Sequence, residues 1–159
     1  GAGNDTVHSG SGKSQVFGGG GIDLLVGGAA DDVIYGDAGD DRIFAGAGDD
    51  RVFGGLGDDY IAGYLGNDSL LKGEDGNDRI SGGDGRDRLY GDAGSDIGYR
   101  DSADLLVYQV ESVYNTPPDP VEQALRELVD TYWNDKELAD GDEDGAWDTL
   151  DELIAQILP

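Results

Sequence analysis

An all-β parallel solenoid of nine-residue half-coils, followed by a small α-helical hairpin, is the fold class that this sequence predicts. Three observations point to it. Glycine and aspartate recur with a period of nine over residues 1 to about 100. One large apolar residue follows each aspartate at a fixed step. Where the period stops, the chain turns to two amphipathic runs of helical spacing.

Written as G-G-x-G-x-D-x-U-x, with U apolar, the unit places its aspartates at Asp5, Asp23, Asp32, Asp41, Asp50, Asp59, Asp68, Asp78, Asp87 and Asp96. Ser14 fills the slot between the first two, and one inserted residue near Lys72 stretches the step from Asp68 to Asp78. The U positions read Val7, Val16, Leu25, Ile34, Ile43, Val52, Ile61, Leu70, Ile80 and Leu89, and the series fades at Gly98. Because Gly1 already lies inside a repeat, the chain is expected to be a piece of a longer protein.

Each element follows from the unit. The tripeptide around U, such as Arg51-Val52-Phe53, is rich in strand-forming residues and turns one side chain inward. The GxGxD before it is a turn, in which glycine accepts positive φ and lets carbonyls converge. Two units make one coil, so residues eighteen apart stack at about 4.7–4.9 Å. The apolar positions then form two facing ladders, Val7-Leu25-Ile43-Ile61-Ile80 and Val16-Ile34-Val52-Leu70-Leu89. An outward row, Phe17, Tyr35, Phe53, Leu71 and Tyr90, repeats at the same step and reads either as a face covered by the tail or a neighbouring domain, or as a platform for a ligand.

This repeat resembles the RTX (repeats-in-toxin) nonapeptide family over about two thirds of the chain. The resemblance implies a parallel β-roll wound around Ca²⁺, in a protein exported from the cell, usually by type I secretion through a retained C-terminal signal.

The residues support a cation independently. Two like charges 4 Å apart repel by about 1 kcal/mol in water and about 4 kcal/mol at an effective dielectric of 20. Stacked aspartates therefore need a counter-charge, and Ca²⁺ takes about six to eight oxygens from carboxylates and carbonyls. With two apolar side chains per coil, the core is too thin to hold the roll alone. Pairing aspartates one coil apart gives Asp5/Asp23, Asp23/Asp41, Asp41/Asp59, Asp59/Asp78 and Asp78/Asp96 on one edge. The other edge has Asp32/Asp50, Asp50/Asp68 and Asp68/Asp87. These make eight expected ion sites, with a weakened ninth where Ser14 faces Asp32. The fifth-position acids Asp31, Asp40, Asp49 and Asp58 read as solvated charge.

Residues 101–116 are expected to supply a capping strand, "DLLVYQV" at Asp104 to Val110, and a linker, "NTPPDP". Residues 117–159 form a helix-loop-helix tail. Val121, Ala124, Leu125, Leu128, Val129, Tyr132 and Trp133 share one helical face, with Asp119, Pro120 and Glu122 suited to its start. A second run takes in Trp147, Leu150, Leu153, Ile154, Ile157 and Leu158. The loop between them, "DGDEDGAWDTLD", resembles an EF-hand, with Asp140, Asp142, Asp144, Asp148 and Asp151 at positions 1, 3, 5, 9 and 12 and Gly145 at 6. It departs from that family in having Asp at position 12, Trp147 at position 8 and no visible partner hand. One further Ca²⁺ in this loop, or an acidic turn that only packs, are both open. So is the tail's role as secretion signal or folded accessory domain.

A net charge of −25 turns the chain away from nucleic acid and anionic membranes. No cysteine is present, no stretch is long and apolar enough to span a bilayer, and no N-terminal signal peptide is visible. With His8 as the one histidine, on an outward strand position, no nucleophile-base-acid set assembles, so the chain is not expected to be an enzyme. The function expected is that of a Ca²⁺-binding RTX module which folds outside the cell, as a structural and secretion-folding part of a larger adhesin or toxin. Its partners would be Ca²⁺, the rest of the parent polypeptide and a type I secretion apparatus. Two alternatives stand beside it: the C-terminal part of a secreted hydrolase, and a Ca²⁺-dependent surface- or sugar-binding module. Asp50 belongs to two pairs, so Asp50→Ala is expected to raise the Ca²⁺ midpoint of folding, and an unchanged titration would overturn the pairing.

Overall fold

The computed structural model describes residues 1–101, 103, 104, 106–110 and 112–115. The helical hairpin expected over 117–159, with Asp140, Asp142, Asp144, Asp148 and Asp151, lies outside them.

The described chain is a parallel β-roll. Odd-numbered strands β1 (Thr6–Gly10), β3 (Leu24–Gly28), β5 (Arg42–Ala47), β7 (Tyr60–Leu65), β9 (Arg79–Ser81), β11 (Ile97–Arg100) and β13 (Ser112–Asn115) form one sheet in that order. Even-numbered strands β2 (Gln15–Gly20), β4 (Val33–Ala38), β6 (Arg51–Leu56), β8 (Leu70–Asp75), β10 (Arg88–Ala93) and β12 (Leu106–Tyr108) form the other. Each strand pairs with the strand one coil on, so Val7, Leu25, Ile43, Ile61 and Ile80 fall in one register line. No helix occurs among the described residues, and none is long and apolar enough to cross a membrane.

The core is a single file from each sheet. Leu25, Ile34, Ile43, Val52, Ile61, Leu71, Ile80 and Leu89 are wholly buried, and Val7 packs partly buried against them. Leu71 corrects the expected ladder. The extra residue enters just after Asp68, where Ser69 N–H still bonds Asp50 C=O as the first residue of the strand should. The strand then resumes one residue late, with Val52 opposite Leu71 and Phe53 opposite Lys72. Leu71 therefore takes the core slot expected for Leu70, and Lys72 takes the outward slot expected for Leu71.

Coil turns pass close enough to exclude side chains. At Gly66, with φ of 139°, a Cβ would lie 1.7 Å from the carbonyl oxygen of Gly48. The second repeat position also needs left-handed backbone, and four non-glycine residues hold it there: Asp37, Tyr64, Glu74 and Asp92, at φ 72–81°.

The roll continues past the repeats. β12 pairs with β10, setting Leu89 opposite Val107, and β13 pairs with β11, setting Gly98 opposite Val113. In the cation-saturated chain, Leu71→Ala is expected to cost about 2–5 kcal/mol and Leu70→Ala about 1 kcal/mol or less. Chemical denaturation measures both, and equal losses would contradict the one-residue shift.

Candidate metal centre

The sixth-position aspartates sit where a turn runs into a strand, and from Asp23 to Asp78 three polar groups of each are used in stacking coils. Its C=O accepts the N–H at the start of the strand one coil on, as Arg42 N–H bonds Asp23 C=O at 2.9 Å. Its N–H donates to Oδ1 of the aspartate one coil on. That bond measures 2.7–2.9 Å from Asp5 to Asp23, Asp23 to Asp41, Asp41 to Asp59, Asp59 to Asp78 and Asp78 to Asp96. On the other edge the same bond joins Asp32 to Asp50, Asp50 to Asp68 and Asp68 to Asp87. The structure therefore brings together every pair of roll aspartates the sequence proposes. Each such pair is a rung.

The second carboxylate oxygen is the chemically informative atom. Oδ2 of Asp23, Asp41, Asp50, Asp59, Asp68 and Asp78 is buried and has no hydrogen-bond partner. Burying a charged acceptor without a partner is among the costlier things a fold can do. All of these oxygens but that of Asp50 face the bare side of a glycine. A Cβ on Gly36 would lie 2.5 Å from both Asp41 Oδ2 and the Gly54 carbonyl oxygen. On Gly63 it would lie 2.1 Å from Asp68 Oδ2 and 2.3 Å from the Gly82 carbonyl oxygen. Carboxylate and carbonyl oxygens thus converge on space that only glycine leaves open. Among the described residues no three His, Cys, Asp or Glu side chains converge as a metal-binding group, so the further donors to a hard cation would be backbone carbonyls.

Two rungs differ. At Ser14, the N–H still bonds Asp32 Oδ1 at 2.7 Å, but Asp32 Oδ2 is satisfied by Ser9 Oγ and Gly28 N–H, each at 3.0 Å. Hydrogen bonds thus reach the second oxygen of that rung, as they do at none of the others just named. At Asp50 the glycine slot is taken by Ala45, which is wholly buried with the apolar core.

Burial is the main reason these carboxyls hold their protons more tightly than usual. It pushes Asp41, Asp50 and Asp78 up to about 6 and Asp59 and Asp68 up to about 7. The backbone N–H one coil back pulls each value down, and neighbouring carboxylates push it up again.

The fifth-position acids are exposed, yet they do more than carry charge. Asp31 Oδ1 accepts Asp49 N–H at 3.1 Å, Asp40 accepts Asp58 at 3.0 Å, and Asp49 and Asp58 accept Asn67 and Asn77 at 2.8 Å. This outer ladder runs opposite to the inner one, the earlier residue now being the acceptor. Asn at positions 4, 67 and 77 was its sequence signal, because Asn and Asp share this short acceptor. The aromatic row stacks face to face, with centroids 5.0 Å apart for Phe17–Tyr35 and 4.9 Å for Tyr35–Phe53. Lys72 ends that stack, bound to Glu74 and Asp92 at 2.8 and 2.7 Å. His8 is half-buried in β1.

The chain matches the family model of the RTX calcium-binding nonapeptide repeat in four copies, at residues 1–16, 17–52, 38–70 and 70–98. No curated protein and no solved structure gives a significant match.

Raised carboxyl values have a definite sign. Between the ordinary value of 3.8 and about 7 the folded roll binds more protons than the unfolded chain. Without a cation, its stability is greatest below about pH 4 and falls as pH rises to about 7. Circular dichroism in chelator is therefore expected to show more β signal at pH 5 than at pH 7.5, and cation affinity is expected to rise over the same interval. The reverse order would place the buried charge elsewhere.

Proposed function

This chain belongs to the RTX calcium-binding nonapeptide repeat family, and from that premise we propose that its roll is folded by Ca²⁺ held between successive coils. The ligand set proposed is Asp5, Asp23, Asp32, Asp41, Asp50, Asp59, Asp68, Asp78, Asp87 and Asp96, together with carbonyl oxygens of the facing turns. The observation that carries it is the file of buried Oδ2 atoms without donors, set against a glycine at Asp23, Asp41, Asp59, Asp68 and Asp78. When bound, Ca²⁺ supplies the positive charge that this file lacks. The residues do the rest: Oδ1 fixes each carboxylate on the backbone of the coil before it, and the glycine leaves room for the oxygens to converge.

Such a module has a reason to fold where calcium is plentiful. Extracellular calcium modules bind at about 10⁻⁴–10⁻³ M, well above the level that cytosolic sites are tuned to. The roll would therefore stay open inside the cell and close outside it, which suits a structural and secretion-folding part of a larger secreted adhesin or toxin. RTX repeats are typical of secreted proteins, and the roll is a structural calcium-binding module for which we propose no catalytic role. The acids Asp140, Asp142, Asp144, Asp148 and Asp151 would add one ion in the tail.

A Ca²⁺ titration followed by far-UV circular dichroism, with Mg²⁺ as control, tests this. The expected result is a cooperative gain of β signal with Ca²⁺ alone, with a midpoint of about 10⁻⁴–10⁻³ M. A full β spectrum in chelator at neutral pH would refute folding on binding.

A further inference from the structure

Asp104 lies beyond residue 98, where the matched repeats end, and nothing in its local sequence, "RDSAD", repeats the GxGxD turn. It is nevertheless buried, 8% exposed, in line with the inner aspartates. Asp87 N–H donates to Asp104 Oδ1 at 3.2 Å, the same bond that defines every other rung, across a step of seventeen residues. Asp101 N–H donates to Asp104 Oδ2 at 2.9 Å and fixes the carboxylate's orientation from within the turn.

The two carboxylates converge. A Cβ on Gly82 would lie 2.7 Å from Asp87 Oδ2 and 3.1 Å from Asp104 Oδ2. Asp87 is wholly buried, and its Oδ2 has no hydrogen-bond partner. At Gly18, Gly36, Gly54 and Gly63 the glycine faces one carboxylate oxygen and one carbonyl, whereas here it faces two carboxylate oxygens. Two acids gathered on one buried glycine, one of them with an unmet oxygen, make a stronger demand for a divalent cation than a repeat rung does.

We propose that Asp87 and Asp104 form an additional Ca²⁺ site, half of it built from a residue outside the nonapeptide repeats. This site rests on the calcium reading above and extends it. It ties the coil that carries β12 and β13 to the metal-bound stack, so the calcium-ordered unit ends near residue 115 rather than at the last repeat.

Crystals of the full chain grown with Ca²⁺, measured at a wavelength where calcium scatters anomalously, test it directly. A peak between Asp87 and Asp104, alongside peaks at the repeat rungs, is the expected result. Peaks at the rungs with none here would overturn this inference alone and leave a proton held between the two acids. No peak at any rung would overturn the calcium reading beneath it as well. In solution, Asp104→Asn keeps the shape and the acceptor for Asp87 N–H while removing the charge. It is expected to weaken one site at least tenfold by equilibrium dialysis and to speed hydrogen exchange in 106–115, with exchange in 15–80 unchanged. Asp101→Asn, which leaves the Asp101 N–H in place, is expected to change neither. Identical ion counts and exchange in wild type and Asp104→Asn would also overturn the site.

Discussion

Stacked aspartates, each lending Oδ1 to the backbone of the coil before it, set the terms for everything else in this roll. The bond fixes one oxygen and thereby strands the other, Oδ2, in the interior with no donor. At Asp32 the protein meets both oxygens, through Ser14, Ser9 and Gly28, but at Asp23, Asp41, Asp59, Asp68 and Asp78 no donor reaches the second one. The interior is thus charged by construction, coil after coil. The apolar file beside it, one residue per half-coil, supplies direction and register more than strength.

Glycine follows from that constraint. Its absence of a side chain is used in two places, at turns where successive coils pass within contact distance and at the faces where oxygens converge. Where the chain departs from glycine, the geometry shows what is given up. Asp37, Glu74 and Asp92 hold a left-handed backbone on the even-numbered sheet and Tyr64 does so on the odd-numbered one, a conformation L-residues adopt at a cost of about 1–3 kcal/mol. Ala45 takes a slot that is glycine at the neighbouring turns, and it joins the apolar core.

Most of this was legible in the sequence, because a period of nine fixes both which residues face inward and which aspartates meet. Three features were not. The inserted residue could be placed only to within a few positions, since Leu70 and Leu71 are both apolar and periodicity cannot choose between them. Register did choose, by setting Val52 opposite Leu71. The outer ladder of Asp and Asn was hidden because exposed acids look alike whether or not they accept a backbone N–H. Asp104 was hidden for the opposite reason: its position is defined by the fold of a coil that has no repeat, and a step of seventeen falls outside the pattern.

Each coil of the roll touches only its neighbours, and this gives the module a mechanical character. A coil adds about 4.8 Å to the length of the stack. Drawn out, its eighteen residues span about 60 Å, at about 3.3–3.6 Å each. Tension applied at an end would peel coils off one at a time, each lengthening the chain about twelvefold over its folded rise. Between a surface and a load, such a row of links would yield in small steps, one coil at a time.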